Sequence, residues 1–507
     1  MTKIKCLLLV LLVTGLSFAQ SKTIDAVNNF SIRNSGAIKD KNYNVDGYYF
    51  FYAVDKLKKG QLEYNIEILD NSLTSVAKKT YVDDRSTILM SSAYNNQGMM
   101  FAMANYDKKF IKLLSYDKQA NQKETVEIPL ESSVVKWYDI MTTSSDFNFL
   151  LANEDKGFLF NTITDNKKLG YIINYYPTDG GKGWQYTSDP KSKEWLMANL
   201  VEANKDFVLV LEYAKPGMMS QKANLIALVL DANTGKLLFR KEYVKKTNPR
   251  TITNAMFTGK SIIFMGEYFK PDDNTFKDKG IGIFGEEIDM TGQTINESLV
   301  SWDKDVDPLL KETGNSEVGY VMFHKIVRTG NGDFYAIGER YKKNSKGAGA
   351  LGAVVGLSSG TMLVTDALVF KFDKAMKLKD IKKFEKGKST LPNISPFGSP
   401  QINAYIAKAF GWFDYGFTQI DPKNDRFYSM FLDADRAGVK SKNVKYACKT
   451  IIYDDGELSE DKIMLSSEGK TENTLHMMPA KVGYVALVDF DKEAKQVMVR
   501  LEKINIK

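Results

Sequence analysis

The sequence predicts an all-β fold, a β-propeller built from four-stranded antiparallel blades. Three observations lead to this class. A hairpin pattern with an Asp-led turn recurs along the chain, a further strand pattern precedes each hairpin, and no stretch keeps the helical periodicity that an α/β fold needs. Because each repeated unit buries its face on the next one, a single ring can use most of a chain of 507 residues.

The repeated hairpin is clearest at Thr365–Lys386, where two short strands meet at a turn led by Asp. In each copy an apolar run with β-branched or aromatic residues leads into the turn, and an alternating run follows it. The turn residues of the seven copies are Asp70, Asp117, Asp165, Asp231, Asp289, Asp373 and Asp454. Upstream of the hairpins lie aromatic-rich runs such as Gly47–Tyr52 and, before those, weaker apolar runs such as Trp195–Asn199. The unit therefore has four strands.

The end of the chain decides the number of blades. Gly483–Asp491 matches Gly47–Asp55 and so is the second strand of a further unit, with Val497–Ile504 as its third strand. The fourth strand of this unit is missing near the C-terminus. The segment Lys22–Ile32 supplies it and closes the ring by pairing the two ends of the chain. We therefore predict eight blades, with seven as the alternative because the unit around Asp165 is the faintest.

The first 19 residues have the pattern of a signal peptide. Lys3 and Lys5 precede the apolar run Leu7–Leu16, and the small residues in Ser17–Ala19 suit a signal peptidase. The apolar run is too short to span a bilayer, which takes about 20 residues. We expect export, cleavage after Ala19 and no transmembrane segment in the mature chain. The periplasm is the expected location, and an extracellular location is the alternative.

Composition and charge narrow the function. A chain that is 43% apolar and 26% charged has the composition of a folded globular protein. Without the leader, 67 basic and 62 acidic residues remain, and a net charge of +5 is too mild for nucleic acid. Cys448 is then the single cysteine, and its place in a predicted strand is typical of a buried small residue. We expect one propeller domain over residues 20–507, with insertions in the later blades, notably at 342–364.

The first mature segment carries a resemblance. Ser35–Asp40, followed by the run GYYFFYAVDKLKKGQLEYNIEILDNSL, resembles the start of a family of exported, propeller-like proteins of Gram-negative bacteria whose function is uncharacterised. In order and spacing the resemblance covers most of the mature chain. It implies export and a propeller fold, and it carries over no catalytic or ligand residue.

A weak candidate for a metal site is an acidic triplet. Asp303, Asp305 and Asp307 alternate as the ligands of a calcium loop do. The later positions do not fit, because Pro308 stands where the loop needs Gly and Gly314 stands where it needs Glu. We therefore predict no metal site. The three aspartates are only weak candidates for metal ligands.

Other candidates for chemistry are fewer. Pro271–Asp278 is a second acidic segment, and we expect it to be a solvated insertion between strands. The two histidines, His324 and His476, exclude a three-histidine zinc site. We predict no catalytic residue and no cofactor.

Five aromatic residues in loop-like surroundings are candidates for interaction. They are Trp184, Tyr186, Trp302, Trp412 and Tyr415. Exposed Trp and Tyr side chains are effective platforms for sugars and protein partners. The alternative interpretation is that they cap the packing between blades.

The most unusual segment is Gly347–Gly360, which is rich in Gly and Ala and follows several lysines. Its larger apolar residues are Leu351, Val354, Val355 and Leu357. Three interpretations compete: an apolar element packed on the propeller, a loop that binds a partner, and a membrane contact.

Two functional hypotheses follow. The first is a non-enzymatic, exported propeller that binds a protein or a glycan of the cell envelope through loops at one end of the ring. The second is a glycan-acting hydrolase or lyase with carboxylates at the central channel. Propellers host both binding and catalysis, so the fold does not decide between them. The sequence leaves the ligand and the oligomeric state open.

Overall fold

The repeated turns form because an Asp carboxylate accepts hydrogen bonds from the backbone that follows it. In the computed structural model, Asp70 Oδ1 accepts from the N–H groups of Ser72 and Thr74, each at 2.8 Å. The same arrangement recurs at Asp117, Asp231, Asp289 and Asp373. Each of these turns joins the third strand of a sheet to its fourth, as the sequence predicts.

The structure describes residues 20–30, 35–40, 44–142, 147–165, 168–217, 220, 224–243, 248–312, 319–344, 361–392, 399–435, 445–465 and 474–505. The first strand is β1 (Ser21–Ile24). Blade 1 consists of β2 (Ser35–Lys39), β3 (Val45–Lys56), β4 (Gln61–Asp70) and β5 (Ser75–Asp84). Blade 2 consists of β6 (Ile88–Tyr94), β7 (Gly98–Asn105), β8 (Phe110–Asp117) and β9 (Gln122–Pro129). After helix α1 (Ser132–Thr142), blade 3 consists of β10 (Leu150–Asn153), β11 (Gly157–Asp165), β12 (Leu169–Pro177) and β13 (Trp184–Thr187).

Blade 4 consists of β14 (Trp195–Ala203), β15 (Phe207–Lys215), β16 (Asn224–Asp231) and β17 (Leu237–Lys241). Blade 5 consists of β18 (Arg250–Phe257), β19 (Ser261–Tyr268), β20 (Gly282–Asp289) and β21 (Thr294–Ser301). A π-helical turn, Trp302–Val306, and helix α2 (Asp307–Glu312) follow. Blade 6 consists of β22 (Tyr320–Arg328), β23 (Phe334–Asn344), β24 (Thr361–Phe372) and β25 (Leu378–Phe384), with the short β26 (Ser389–Pro392) paired to β24.

Helix α3 (Pro400–Ala409) precedes the last two blades. Blade 7 consists of β27 (Tyr415–Asp421), β28 (Arg426–Asp435), β29 (Lys445–Asp454) and β30 (Glu457–Met464). Blade 8 consists of β31 (Thr474–Pro479), β32 (Tyr484–Asp491) and β33 (Gln496–Lys503), and β1 is its fourth strand. The described chain thus forms an eight-bladed propeller, which confirms the predicted class and blade count, and the alternative of seven blades is excluded.

The ring closes through the N-terminal strand, as predicted. β1 pairs antiparallel with β33, from Ser21 opposite Arg500 to Ile24 opposite Val497. Behind this strand, the buried side chains of Ile24, Val27 and Phe30 belong to one hydrophobic cluster with residues of blades 8 and 1. The two ends of the chain therefore form a shared core.

The two ends of the ring differ. The inner strand of each blade begins at the end of the ring that we call the loop end. The connections between blades and the loops between second and third strands also lie at this end. The Asp-led turns lie at the opposite end, which we call the turn end. The long connections of blades 5 and 6 all lie at the loop end.

The sequence analysis predicted none of the three described helices. In α1 the buried Tyr138 hydroxyl accepts a hydrogen bond from the Ile163 N–H at 2.8 Å, which fixes the helix to blade 3. In α3 the Ser399 side chain caps the helix and Pro400 is its first residue, a combination that indicates a helix start. Lys408 of α3 donates to the backbone carbonyls of Thr253 and Phe323, at 2.9 and 3.0 Å. Helix α3 therefore ties together the inner strands of blades 5 and 6.

Within the described residues, no helix has both the length and the apolar character that crossing a membrane requires. Part of the predicted insertion at 342–364 is ordinary strand, because β23 and β24 stay paired up to Asn344 and Thr361.

Candidate functional site

A cleft of about 910 Å³ lies at the loop end between blades 5 and 6. Three segments form its walls: the loop 269–281 of blade 5, the connection through Trp302 to α2, and the start of blade 6 at Gly319 and Tyr320. Its charged lining residues are Lys270, Lys279, Lys342, Asp273, Asp278, Asp303 and Asp307. Lysines and aspartates are thus interspersed, and the cleft has no strong excess of either sign.

The acidic loop is held by its own side chains. Asp278 Oδ2 accepts a hydrogen bond from the Asn274 N–H at 2.7 Å, and Asp273 Oδ2 accepts one from the Lys270 N–H at 3.0 Å. The Phe276 carbonyl accepts from the Ser399 N–H at 3.0 Å, so the loop also contacts the cap of α3. The loop is therefore held in place by hydrogen bonds and forms one wall of the cleft. The sequence had predicted a solvated insertion.

The predicted acidic triplet forms part of the same cleft. The Asp305 carboxylate accepts a hydrogen bond from the Ser301 N–H at 2.7 Å and so stabilises the π-helical turn. Asp303 is exposed and lines the cleft, as does Asp307 at the start of α2. In the part of the chain that the structure describes, no group of three or more His, Cys, Asp or Glu side chains could hold a metal ion.

Trp302 lies in the wall of the cleft. Its side chain is only 7% exposed and belongs to the hydrophobic cluster between blades 5 and 6. The indole Nε1–H has no hydrogen-bond partner within the described chain. Trp302 is thus a mostly buried aromatic residue in the wall of the cleft, with an indole N–H that has no partner in the described chain. It is not the fully exposed platform that the sequence suggested.

Trp184 and Tyr186 lie away from this cleft. The Trp184 Nε1–H donates to the Ala232 carbonyl at 2.9 Å, and its ring covers Gly235, whose φ is +69°. A Cβ atom at Gly235 would lie 2.3 Å from the Trp184 ring, which explains the glycine in that turn. Tyr186 packs in the cluster between blades 3 and 4, with its ring 6.3 Å from that of Tyr171. Both residues contribute to packing between blades.

Trp412 and Tyr415 follow α3. Trp412 is 37% exposed and stacks on Phe410 with ring centroids 5.1 Å apart. The Tyr415 ring stacks on His324, on the inner strand of blade 6, at 4.7 Å and nearly parallel. Of these two, Trp412 retains the exposed face that a ligand or a partner requires.

The predicted apolar interaction residues Leu351, Val354, Val355 and Leu357 lie outside the described residues. The residues that flank this segment, Asn344 and Thr361, pair at the loop end of the ring.

The central channel holds three partly buried charged side chains, those of Lys39, Glu202 and Lys325. Burial, and then the charge of Lys325, lowers the pKa of Lys39, while burial raises the pKa of Glu202 and Lys325 opposes that shift. Because these residues belong to blades 1, 4 and 6, they face each other across the channel. Glu202 and Asp421 are the carboxylates on the described inner strands, and they stand three blades apart. The Asp421 carboxylate accepts a hydrogen bond from the Asn424 side chain at 2.7 Å.

A buried ion cluster joins blades 6 and 7, and sequence reasoning missed it. Glu339 Oε1 lies 2.9 Å from Lys386 Nζ, and neither side chain is exposed to solvent. Lys386 also contacts the Asp414 carboxylate, and His324 Nε2 lies 3.0 Å from Glu339 Oε2. Burial works to raise the pKa of Glu339, but Lys386 and then His324 outweigh it and hold the pKa at about 2. No sequence motif predicts this ion cluster, because its residues come from separate elements of the chain.

The remaining reactive side chains are buried. Burial raises the pKa of the Cys448 thiol to about 11, so the thiol stays protonated at neutral pH. Burial also lowers the pKa of His476 to about 4. Neither group is suited to nucleophilic or acid–base chemistry at neutral pH.

A second polar feature lies directly beneath the cleft. Glu267 on β19, Tyr341 on β23 and Gln401 on α3 are buried, at 5%, 0% and 4% exposure. Burial raises the pKa of Glu267 to about 8, so its carboxyl group is mostly neutral at pH 7. We call these three residues the buried polar chamber.

Comparisons with known proteins find the fold and a family. A model of a family of unknown function matches residues 1–505. No curated protein matches the chain. Similar solved structures include the WD40 domain of SCAP from fission yeast, with 7% identity and a TM-score of 0.41, over 95% of this chain and 98% of that one.

Two further similar structures come from proteases. Prolyl oligopeptidase B from Galerina marginata has 10% identity and a TM-score of 0.42 over 94% of this chain, which spans 56% of the length of that protein. The β-propeller domain of the Trilobed protease from Pyrococcus furiosus has 11% identity and a TM-score of 0.37, over 84% of this chain and 96% of that one. At these identities and TM-scores the likenesses carry no functional argument.

Proposed function

The chain belongs to that family of unknown function, DUF6770, and we propose that it is an exported binding module of the cell envelope that holds a protein or glycan ligand in the cleft between blades 5 and 6. The observation that carries this proposal is the convergence of two long connections, the loop 269–281 of blade 5 and the connection from blade 5 to blade 6, on one cleft of about 910 Å³. This size is in the range of sites that enclose a small ligand or a segment of a polymer.

The lining of the cleft supports binding of a polar ligand. Lysine and aspartate side chains supply both donors and acceptors, and Trp302 supplies an aromatic wall. The mixed signs disfavour a polyanion such as nucleic acid, which would need a basic surface. Trp412, exposed after α3 at the same end of the ring, adds an aromatic surface beyond the cleft.

The inner strands give less support to the alternative of a glycan-acting enzyme. Glycoside hydrolysis uses two carboxyl groups about 5–10 Å apart. Glu202 and Asp421, the carboxylates of the described inner strands, stand on blades 4 and 7. Asp421 is 5% exposed and is engaged with Asn424. A cleft at the loop end therefore explains the described residues better than a catalytic channel.

Charge reversal in the cleft tests the proposed binding. We expect the tagged mature chain, crosslinked in its own envelope and purified, to capture one abundant protein or glycan. The double variant Lys279→Glu with Asp303→Lys should reduce capture by about tenfold, because both exposed charges line the cleft and the reversal inverts its local pattern. Mass spectrometry and glycan analysis of the captured material provide the measurement.

A matched control reverses two exposed charges at the turn end, Lys374→Glu with Asp206→Lys. This variant has the same net charge as the cleft variant and should capture the ligand as the wild type does. Equal capture by the wild type and the cleft variant, or loss in the control alone, contradicts a ligand site in the cleft.

Export is the second part of the proposal, and the leader pattern of the first 19 residues supports it. We expect the mature protein to begin at Gln20 and to lie outside the cytoplasm. Cleavage there leaves the closing strand whole, since the Gln20 carbonyl accepts a hydrogen bond from the Leu501 N–H at 2.8 Å. N-terminal sequencing of fractionated cells provides the measurement.

The variant Ala19→Trp serves as the control, because a bulky residue at this position blocks a signal peptidase. It should accumulate as an exported but unprocessed chain. A cytoplasmic wild-type protein that keeps residues 1–19 shows that the export proposal is wrong.

A further inference from the structure

The buried polar chamber is unusual because two of its polar atoms lack partners. Glu267 Oε1 and the Tyr341 hydroxyl have no hydrogen-bond partner within the described chain, whereas the Gln401 side chain is hydrogen-bonded to the Tyr320 hydroxyl. Buried polar groups in folded proteins are nearly always paired, since an unpaired one costs about 1–3 kcal/mol. Two such groups at one place therefore mark a candidate contact for a ligand.

The chamber adjoins the cleft at Gly280. A Cβ atom at Gly280 would lie 3.2 Å from Glu267 Oε2 and 3.5 Å from Gln401 Nε2. Gly280 itself lines the cleft, as does Tyr320, whose ring centroid lies 5.8 Å from that of Tyr341. Gly280, which has no side chain, thus lies between the cleft and the side chains of Glu267 and Gln401. The chamber is thus placed to receive one group of a ligand that lies in the cleft.

The chemistry of the chamber selects the kind of group. A neutral carboxyl, a phenol and a primary amide each donate and accept hydrogen bonds, and none of them carries a charge. Trp302 adds an unused indole donor in the wall of the adjoining cleft. A hydroxyl-rich neutral group matches such a set, whereas an anion or a cation would leave half of it unused.

We propose that Glu267, Tyr341 and Gln401 form a carbohydrate subsite that binds the hydroxyl groups of a neutral sugar unit, reached from the cleft past Gly280. This inference rests on the proposed function and narrows its ligand to a glycan. The Glu267 carboxyl donates to one sugar hydroxyl and accepts from another, the Gln401 amide does the same, and the Tyr341 hydroxyl completes the set. The aromatic wall of Trp302 contacts the next sugar unit in the cleft.

Titration calorimetry and ligand-detected NMR test this subsite with defined probes. The probes are neutral oligosaccharides of hexose and N-acetylhexosamine, hexuronate oligosaccharides as anionic counterparts, and a polar peptide. We expect the wild type to bind a neutral oligosaccharide in preference to the other two classes. The variant Glu267→Met should bind it at least about tenfold more weakly, since it removes both hydrogen bonds of the carboxyl.

Two further variants separate binding from folding. Glu267→Gln keeps a neutral donor and acceptor and should bind within about threefold of the wild type. Gly280→Ala places a methyl group at the entrance, 3.2 Å from Glu267 Oε2, and should weaken binding without altering the carboxyl. Thermal melting of each variant provides the control. Glu267→Met should melt no lower than the wild type, because it replaces an unpaired buried polar group by an apolar one.

The pH dependence adds a readout that a structural role would not produce. Binding by the wild type should weaken as the pH rises through about 8, where Glu267 loses its proton, and binding by Glu267→Gln should not. The ionisable groups that face Glu267 are Tyr320 and Tyr341. Burial, and then Glu267, raises the pKa of both, so neither ionises first. The charged residues of the cleft are the same in both proteins and so cancel in the comparison.

These binding experiments test the carbohydrate subsite independently of the proposed function. If the wild type binds none of the neutral oligosaccharides, or binds hexuronate or peptide in preference, the carbohydrate subsite is wrong. If Glu267→Met binds as the wild type does, the chamber is not the subsite. In either case, loss of envelope capture in the cleft variant Lys279→Glu with Asp303→Lys still supports the binding module.

Discussion

Replacing Lys386 by methionine should lower the free energy of unfolding by about 3–5 kcal/mol, the cost of removing one partner from a buried ion pair. The Lys386 side chain has no exposure to solvent and contacts the carboxylates of both Glu339 and Asp414. Without it, the buried Glu339 carboxylate and the partly buried Asp414 carboxylate would face each other, with His324 and the Tyr415 N–H as the remaining partners of Glu339. Chemical denaturation at neutral pH measures the loss.

The control for this variant is Lys383→Met, three residues earlier at the end of β25. Lys383 is 24% exposed and pairs with Glu385, which is 82% exposed, at 3.3 Å. Exposed ion pairs contribute little, so this variant should lose less than about 1 kcal/mol. Similar losses from the two variants would show that the buried cluster has no special role.

The stability of the wild type and that of Lys386→Met should depend differently on pH. In the wild type the pKa of Glu339 is lowered to about 2, so its stabilisation is present above the unfolded pKa and is lost as the pH falls toward 2. In Lys386→Met the lowering charge is gone, and burial should raise the pKa of Glu339 above its unfolded value. The carboxylate then destabilises the variant at neutral pH, and protonation relieves it. The difference in stability between wild type and variant should therefore shrink as the pH falls from about 8 to about 5.

Deleting Ser21–Phe30 should have a still larger effect. The deletion removes the outer strand of blade 8 and the buried side chains of Ile24, Val27 and Phe30. Three buried apolar side chains at about 2 kcal/mol each amount to about 6 kcal/mol, which is a large part of the 5–15 kcal/mol that stabilises most proteins. It also leaves β33 as an open edge strand, which favours association between chains. We expect a much lower melting temperature and soluble oligomers, measured by thermal unfolding and light scattering.

Two companion experiments identify the cause. Thr23→Ser changes an exposed residue of the same strand and should leave stability within about 0.5 kcal/mol. A synthetic peptide of residues 20–30 should bind the open edge of the shortened protein and raise its melting temperature, with an increase that grows with the logarithm of the peptide concentration. A shortened protein that melts like the wild type would contradict a role for this strand in closing the ring.

The fold was predictable because its signals are local. An Asp that bonds the backbone two and four residues later forms the same turn wherever it recurs, as at Asp70 and Asp373. Helix α3 was missed because its ten residues are short beside the strand signals, although Ser399 and Pro400 mark its start.

The functional features were harder to predict because they are not local. The acidic triplet at Asp303 and the loop at Pro271 are visible in the sequence, but only the ring brings them to one cleft. Glu267 and Gln401 are 134 positions apart, and neither stands in a motif. Their burial next to Gly280 exists only in the folded state. The residue types alone could therefore not predict that these two side chains lie together.

The pairing of β1 with β33 also has a consequence for the order of folding. Ser21 and Arg500 are 479 positions apart, so this contact carries the largest sequence separation of any strand pair in the described chain. Contacts between distant residues form late, because the entropy of closing a long loop must be overcome before the contact stabilises anything. The seven blades whose strands follow one another in sequence can form as the chain emerges, while the eighth waits for nearly all of it. Ring closure thus requires that β33 has been synthesised, and a chain that ends before this strand keeps an open edge that proteases and chaperones can recognise.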